Sequence, residues 1–316
     1  MKTKVYILLF CIAVTFLGCS TKDDIATQNT ILFDLELNGD LILSQNSPDM
    51  KKIAFRSDNL REGDQQHFGY DCFYIKDLDN AKIHFIGAGF HHFTWDTNSN
   101  MFVTLSGLSP SKRYTKLKLY SGSMEYLETI FEVEKGWLIS GSSIRFIDDD
   151  TKIGFILREE ETKLCEYWII DLETKLATKI HDIFDPNLSP SYRLTWNSDL
   201  SHIYFDHRTE SKILNMYKYN VQTGETESVI NSTANESKPS LSPNDKHLVY
   251  LSDKTGELGI WAKNLETGKQ TELKLPKGFI FDTRYNYLQW INNDEILVTL
   301  ENRDLKLKLY KLKAAW

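Results

Sequence analysis

The chain has 316 residues, of which 41% are hydrophobic and 26% charged, so it can bury a core and is not disordered by composition. Its 37 Lys+Arg stand against 44 Asp+Glu, which excludes a broadly basic nucleic-acid binder as the default, because phosphate binding needs a basic face. Only 7 Pro and 16 Gly argue against a fibrous or low-complexity protein.

Lys2 and Lys4 open the chain, and residues 5–18 are uncharged. A spanning helix needs about 20 apolar residues, so residues 1–18 read as a signal peptide rather than an anchor. The stretch ends in Phe16-Leu17-Gly18-Cys19, which resembles a bacterial lipobox, where the thiol is lipidated and becomes the mature N-terminus. Ser20-Thr21-Lys22-Asp23-Asp24 follows and is similar to the surface-export tag of Bacteroidetes lipoproteins, or else is a solvated tether. Residues 19–30 are thus expected to be a lipidated Cys19 and a polar tether. The resemblance implies a bacterial outer-membrane protein, held in the membrane through Cys19 and exposed at the cell surface.

One pattern then recurs six times: a large anchor or its stand-in, a polar turn, and a β-branched or aromatic strand. The anchors are Asn46, Trp95, Phe146, Trp196, Leu241 and Trp290, spaced by 49, 51, 50, 45 and 49 residues. Alternating strands closed by turn formers follow each anchor, as in Tyr167-Trp168-Ile169-Ile170-Asp171 and Ile260-Trp261-Ala262-Lys263-Asn264. Four strands per unit and six units predict an all-β fold, a six-bladed β-propeller of four-stranded antiparallel blades over residues 31–316. The last repeat lacks a fourth strand. Residues 31–37, Ile-Leu-Phe-Asp-Leu-Glu-Leu, are its expected donor, pairing near Leu309-Tyr310-Lys311-Leu312 to close the ring and remove two exposed edges. Cys72 and Cys165 fall on third strands of the first and third blades, too far apart for a disulfide, and are expected to be free.

Ser47-Pro48-Asp49-Met50-Lys51-Lys52-Ile53-Ala54-Phe55 and Ser242-Pro243-Asn244-Asp245-Lys246-His247-Leu248-Val249-Tyr250 resemble the TolB-like propeller repeat. The resemblance covers roughly residues 40–316 and bears on architecture. No Gly-x-Ser-x-Gly nucleophile elbow accompanies it. Lyases on related propellers use a metal held by several His, so the resemblance also implies a metal-dependent polysaccharide lyase or hydrolase as an alternative.

Ligands of such rings are expected at the end carrying the loops that lead into each first strand and join second to third strands. Candidate binding residues there are His67, His91, His92, Trp137, Tyr192, Arg193, Arg284 and Tyr285. Aromatic faces beside Arg suit a glycan or peptide, because the ring covers apolar C–H surface while Arg forks onto a carboxylate. The competing reading is that these aromatics plug the channel or pack between blades. His91 and His92 are adjacent on a strand and point to opposite faces, so both rarely ligate one ion. His67, His202 and His207 would join only if the blades brought them close, and no metal or other cofactor is expected. Asp148-Asp149-Asp150 lacks calcium-loop spacing and reads as a solvated turn. The sequence therefore favours a lipoprotein whose propeller binds or scaffolds a glycan, peptide or envelope protein, without catalytic residues of its own.

Overall fold

The computed structural model describes residues 30–34, 41–57, 61–62, 65–66, 72–107, 115–162, 164–183, 194–208, 210–281, 288–302 and 307–313. These form a six-bladed β-propeller, and among the described residues there is no helix. Each blade is an antiparallel sheet in chain order. Blade 1 runs Leu41–Asn46, Lys52–Ser57, Cys72–Asp77, Ile83–Ala88, and blade 3 runs Trp137–Ile147, Lys152–Glu159, Cys165–Asp171, Ala177–Ile183. Blades 2, 4 and 5 begin with Phe90–Trp95, Leu194–Trp196 and Glu236–Leu241 and repeat the plan.

The sixth blade departs from the plan at its inner strand. Phe279–Phe281 and Gln289–Trp290 both pair with Glu295–Asn302, so the expected single strand is split in two. Its outer strand comes from the other end of the chain, as the sequence predicts. Thr30–Asp34 pairs antiparallel with Leu307–Lys313, placing Ile31 opposite Tyr310 and Asp34 opposite Lys308. A short hairpin, Arg61–Glu62 with Gln65–Gln66, stands in the long segment between the second and third strands of blade 1.

The core is six separate cores. Strand alternation sends successive side chains to opposite faces of a blade, and each face meets a neighbouring blade. In blade 1, Ile53, Phe55, Cys72 and Tyr74 face one way and pack with Leu297 of blade 6. Ala54, Phe73 and Ile75 face the other way and pack with Trp95, Phe102 and Tyr120 of blade 2. Equivalent clusters fill the remaining junctions, between blades 2 and 3, 3 and 4, 4 and 5, and 5 and 6. Cys72 and Cys165 form no disulfide and are buried in different clusters, as expected. Burial pushes the Cys165 thiol pKa up.

The anchors of the repeat hold blades to one another. Trp196 Nε1 donates to Ser143 O of the preceding blade at 3.2 Å, and Trp290 Nε1 donates to Ser240 O at 3.0 Å. The turn after each anchor contributes a second link. Asp49 N–H donates to Ser99 Oγ at 3.0 Å, tying blade 1 to blade 2. Thr97 donates to Asp150 Oδ2 from its N–H at 3.0 Å and from its hydroxyl, tying blade 2 to blade 3. Ser198 N–H reaches both Asp245 carboxylate oxygens, at 3.0 and 2.9 Å, and Asn244 N–H donates to Asn293 Oδ1 at 3.1 Å.

Ser99, Asp150 and Asp245 occupy one repeat position, four residues after the anchor, with left-handed φ of 63°, 65° and 60°. Short polar side chains tolerate that conformation better than most. Leu200 and Met50 hold the same position with φ of 61° and 59° but offer no acceptor. At those two junctions other residues bridge. Arg145 Nη1 donates to Trp196 O at 3.3 Å and Asn197 O at 3.2 Å. Gln289 Oε1 accepts Asn46 N–H while its Nε2 donates to Asn46 O, both at 2.9 Å. A hydrogen-bonded belt thus runs through all six junctions. The expectation of a solvated acidic turn is corrected at Asp150, which is 7% exposed and spent on this belt. Asp149 is exposed, and Asp148 pairs with Lys152 at 2.7 Å.

Candidate functional site

The inner strands build a channel on the ring axis. The residue before every anchor is polar: Gln45, Thr94, Arg145, Thr195, Ser240 and Gln289. Alternation makes the reason plain, since the anchor packs against a blade and its predecessor turns to the axis. All six line one cavity of about 410 Å³. A second cavity of about 320 Å³ shares Arg145 and Thr195 with the first and reaches the Ser198, Pro243 and Asp245 turns. Pockets of roughly 300–1,000 Å³ are the size that takes small ligands or a chain end.

The charge on these walls differs from that of the whole chain. Acids outnumber bases overall, yet the described lining of the larger cavity carries Arg145, Lys238 and His92 and no Asp or Glu. Such segregation gives a cleft a local potential opposite to the net charge. Arg145 is the one charged member of the ring of six. Its Nη1 is used by the belt, while its Nε and Nη2 have no acceptor among the described residues. Desolvation pulls its pKa below the ordinary guanidinium value, opposed by the fields of Asp245 and Tyr167. A guanidinium stays protonated through such a shift.

Lys238 reaches the wall by a strained backbone. Its φ is 56°, immediately before Pro239, at a register shift between Ser237 and Ser240. A non-glycine residue in that region is uncommon and held only by its surroundings. Here Lys238 N–H donates to the buried Asp206 Oδ2 at 3.0 Å, and the ammonium lies 5.9 Å from the Phe281 ring. His92 crosses from blade 2 to lie against Gly141 of blade 3. A Cβ at position 141 would collide with the imidazole, so the glycine makes room for it.

His92 is the candidate from the sequence that the structure brings to the channel wall. Trp137 is half-buried and packs on the apolar cluster between blades 2 and 3, away from the cavity lining. His91 lies in the strand Phe90–Trp95. His67, Tyr192, Arg193, Arg284 and Tyr285 lie outside the described residues. His202 bonds Ser201 and Asn220 near a turn, and His207 packs on the Tyr217 ring. Among the described residues no group of three or more His, Cys, Asp or Glu is placed to hold a metal ion. Arg145, Lys238 and Gln289 escape a search for motifs. The available signal is positional, a polar residue one before each anchor. In the same frame Arg193 stands three before Trp196, the place that Lys238 holds before Leu241 and His92 before Trp95.

No family profile matches the chain, and no curated protein matches it by sequence. Solved structures match by shape. An oligogalacturonate lyase in complex with manganese superposes with TM-score 0.53 at 14% identity, over 91% of this chain and 96% of that one. A protein assigned as TolB from Agrobacterium tumefaciens gives 0.54 at 10% identity, over 88% and 91%. TolB from Acinetobacter baumannii gives 0.50 at 13% identity, over 90% of this chain and 65% of that one. At these identities what is shared is architecture, and the chain is a six-bladed propeller of the kind found in TolB-like proteins.

Proposed function

We propose that this is a lipid-anchored protein of a bacterial outer membrane, displayed at the surface through Cys19, whose propeller binds or scaffolds a glycan, a peptide or a partner protein. The observation that carries the reading is the channel. Among the described residues, the lining of its larger cavity joins neutral hydroxyls and amides to Arg145 and Lys238 and includes no Asp or Glu. That lining suits recognition by hydrogen bonds and charge. The proposed leader and tether precede Thr30–Asp34 in the sequence, the strand that pairs with Leu307–Lys313, so a tether would join the propeller at blade 6.

A metal-dependent lyase or hydrolase acting on polysaccharide is the second reading. His92 on the channel wall and the likeness to a manganese-bound lyase favour it. One experiment separates the two. The purified protein, without a histidine tag, is assayed for metal content and screened on glycan and peptide arrays. The binding reading expects no stoichiometric metal and a ligand retained intact. Near-stoichiometric metal together with cleavage of a retained polysaccharide would replace it. Protease shaving of intact cells tests display, and resistance equal to that of a periplasmic protein would refute it.

A further inference from the structure

We propose that the channel contains a carboxylate-binding seat centred on Arg145, so that the ligand is recognised through a free carboxylate end; this rests on the binding reading above and names the chemistry of that same channel. The argument starts from a charge with too few partners. Arg145 carries five N–H donors in a fixed fork. Nη1 is directed to Trp196 O and Asn197 O. No acceptor among the described residues meets Nε or Nη2, and the side chain lines both channel cavities. A largely desolvated cation is costly to keep unless an anion joins it.

The two backbone contacts also fix the orientation of the fork. With Nη1 clamped on blade 4, the guanidinium plane cannot swing freely, and the Nε–Nη2 edge is presented as a unit. That edge matches the spacing of two carboxylate oxygens in a bidentate pair. Thr195 is the next member of the polar ring, and both it and Ser142 line the same two cavities. The Ser142 Oγ accepts Leu194 N–H at 3.2 Å, which leaves its own proton for a ligand oxygen. Asp245 also lines the second cavity; its carboxylate accepts from the Ser198 N–H and hydroxyl, and its field reaches Arg145, but no hydrogen bond joins the two, so the Nε–Nη2 edge stays open.

Around the seat the wall is mixed. Ile144, Leu194, Leu241 and Leu288 supply apolar surface, and Thr94 and Ser240 supply hydroxyls. An anion carried on a compact, partly apolar body fits this better than a polyanion, because one fork neutralises one carboxylate. The cavity of about 410 Å³ accommodates an end group rather than a folded domain. The carboxylate could belong to a peptide C-terminus or to a sugar acid. Both present the same two oxygens to Arg145.

The test uses the full-length protein and four probes at matched ionic strength, with sodium chloride as the control: N-acetyl-leucine, its amide N-acetyl-leucinamide, galacturonate, and its amide galacturonamide. Binding is followed by calorimetry and by the melting temperature. At least one acid is expected to bind, and the amide of a bound acid is expected to be weaker by about tenfold or more, the change that losing a charge-assisted hydrogen bond carries. Preference between the two acids assigns the source. Arg145→Gln should abolish acid binding, whereas Arg145→Lys, which keeps the charge but not the fork, should retain a weakened fraction. If Arg145→Gln fails to fold, the acid–amide difference in the native protein still decides. Equal effects of acid, amide and chloride would overturn the seat, and so would no effect of either acid. A glycan or peptide held with unchanged affinity by Arg145→Gln would overturn the seat while leaving the binding module in place.

Discussion

Replacing Gln289 by Ala removes the link that ties the last blade to the first across 243 residues of sequence. The Gln289 amide acts as a one-residue strand, accepting from Asn46 N–H and donating to Asn46 O at 2.9 Å each. Two ordinary hydrogen bonds contribute about 1 kcal/mol each net. The loss is larger here, because Asn46 is fully buried and both of its backbone groups would be left without a protein partner. An orphaned buried group costs roughly 1–3 kcal/mol, reduced where water can enter from a polar channel. The expected destabilisation is therefore about 2–4 kcal/mol, read as a lower urea midpoint at unchanged slope. Gln289→Glu sharpens the test. Its carboxylate keeps an acceptor for Asn46 N–H but opposes Asn46 O with a second acceptor, and protonation restores a donor. Its deficit relative to the native protein should be largest at neutral pH and shrink near pH 4. A Gln289→Ala midpoint within about 0.5 kcal/mol of the native protein would refute the idea that the belt closes the ring.

Deleting residues 31–37 should lower stability and broaden the melting transition, because it strips most of the outer strand from blade 6; an unchanged melt would defeat the closure. Burial pushes Tyr120, Tyr167 and Tyr204 up to about 12 from 10.0, and pushes Tyr250 higher still. The folded state then holds protons that the unfolded chain releases, so stability is full below pH 10 and falls between pH 10 and 12, by roughly 1–3 kcal/mol per tyrosine. Tyrosinate absorbance rising together with loss of β-sheet signal would agree, and titration of these phenols near pH 10 in a fully folded protein would not. Gly141→Ala should displace the His92 ring and cost about 1–3 kcal/mol; an unshifted His92 imidazole resonance would contradict the packing described.

The architecture was legible because a propeller repeats its constraints. Each blade needs a large residue at one spot, a tight turn and a period-two strand, and six copies reinforce a pattern that any one copy blurs. Closure was legible for the same reason, as a count of strands left one short. The channel was less so. Its polar ring consists of ordinary residues, and Gln45 or Thr94 alone carries no signal. Only alignment of the repeats on their anchors shows that position minus one is always polar. Trp137 follows the competing reading, because its strand starts earlier than its neighbours' and lays the indole on the core between blades 2 and 3. Asp150 reads as a loop acid until the left-handed turn aims it at blade 2. For Asp150 the deciding contact comes from another blade, 53 residues away in the sequence.

The closing strand has a consequence for how the chain is made. Among the described strands, Thr30–Asp34 is synthesised first and its partner Leu307–Lys313 last. A chain emerging from synthesis therefore carries Thr30–Asp34 without its partner strand until Leu307–Lys313 arrives. Five blades can assemble in order from neighbouring hairpins, but the sixth waits for these two distant strands to meet. The slow, non-local step thus comes at the end of folding. During that interval the exposed edge is a place where a chaperone, or a second unfinished copy, could pair.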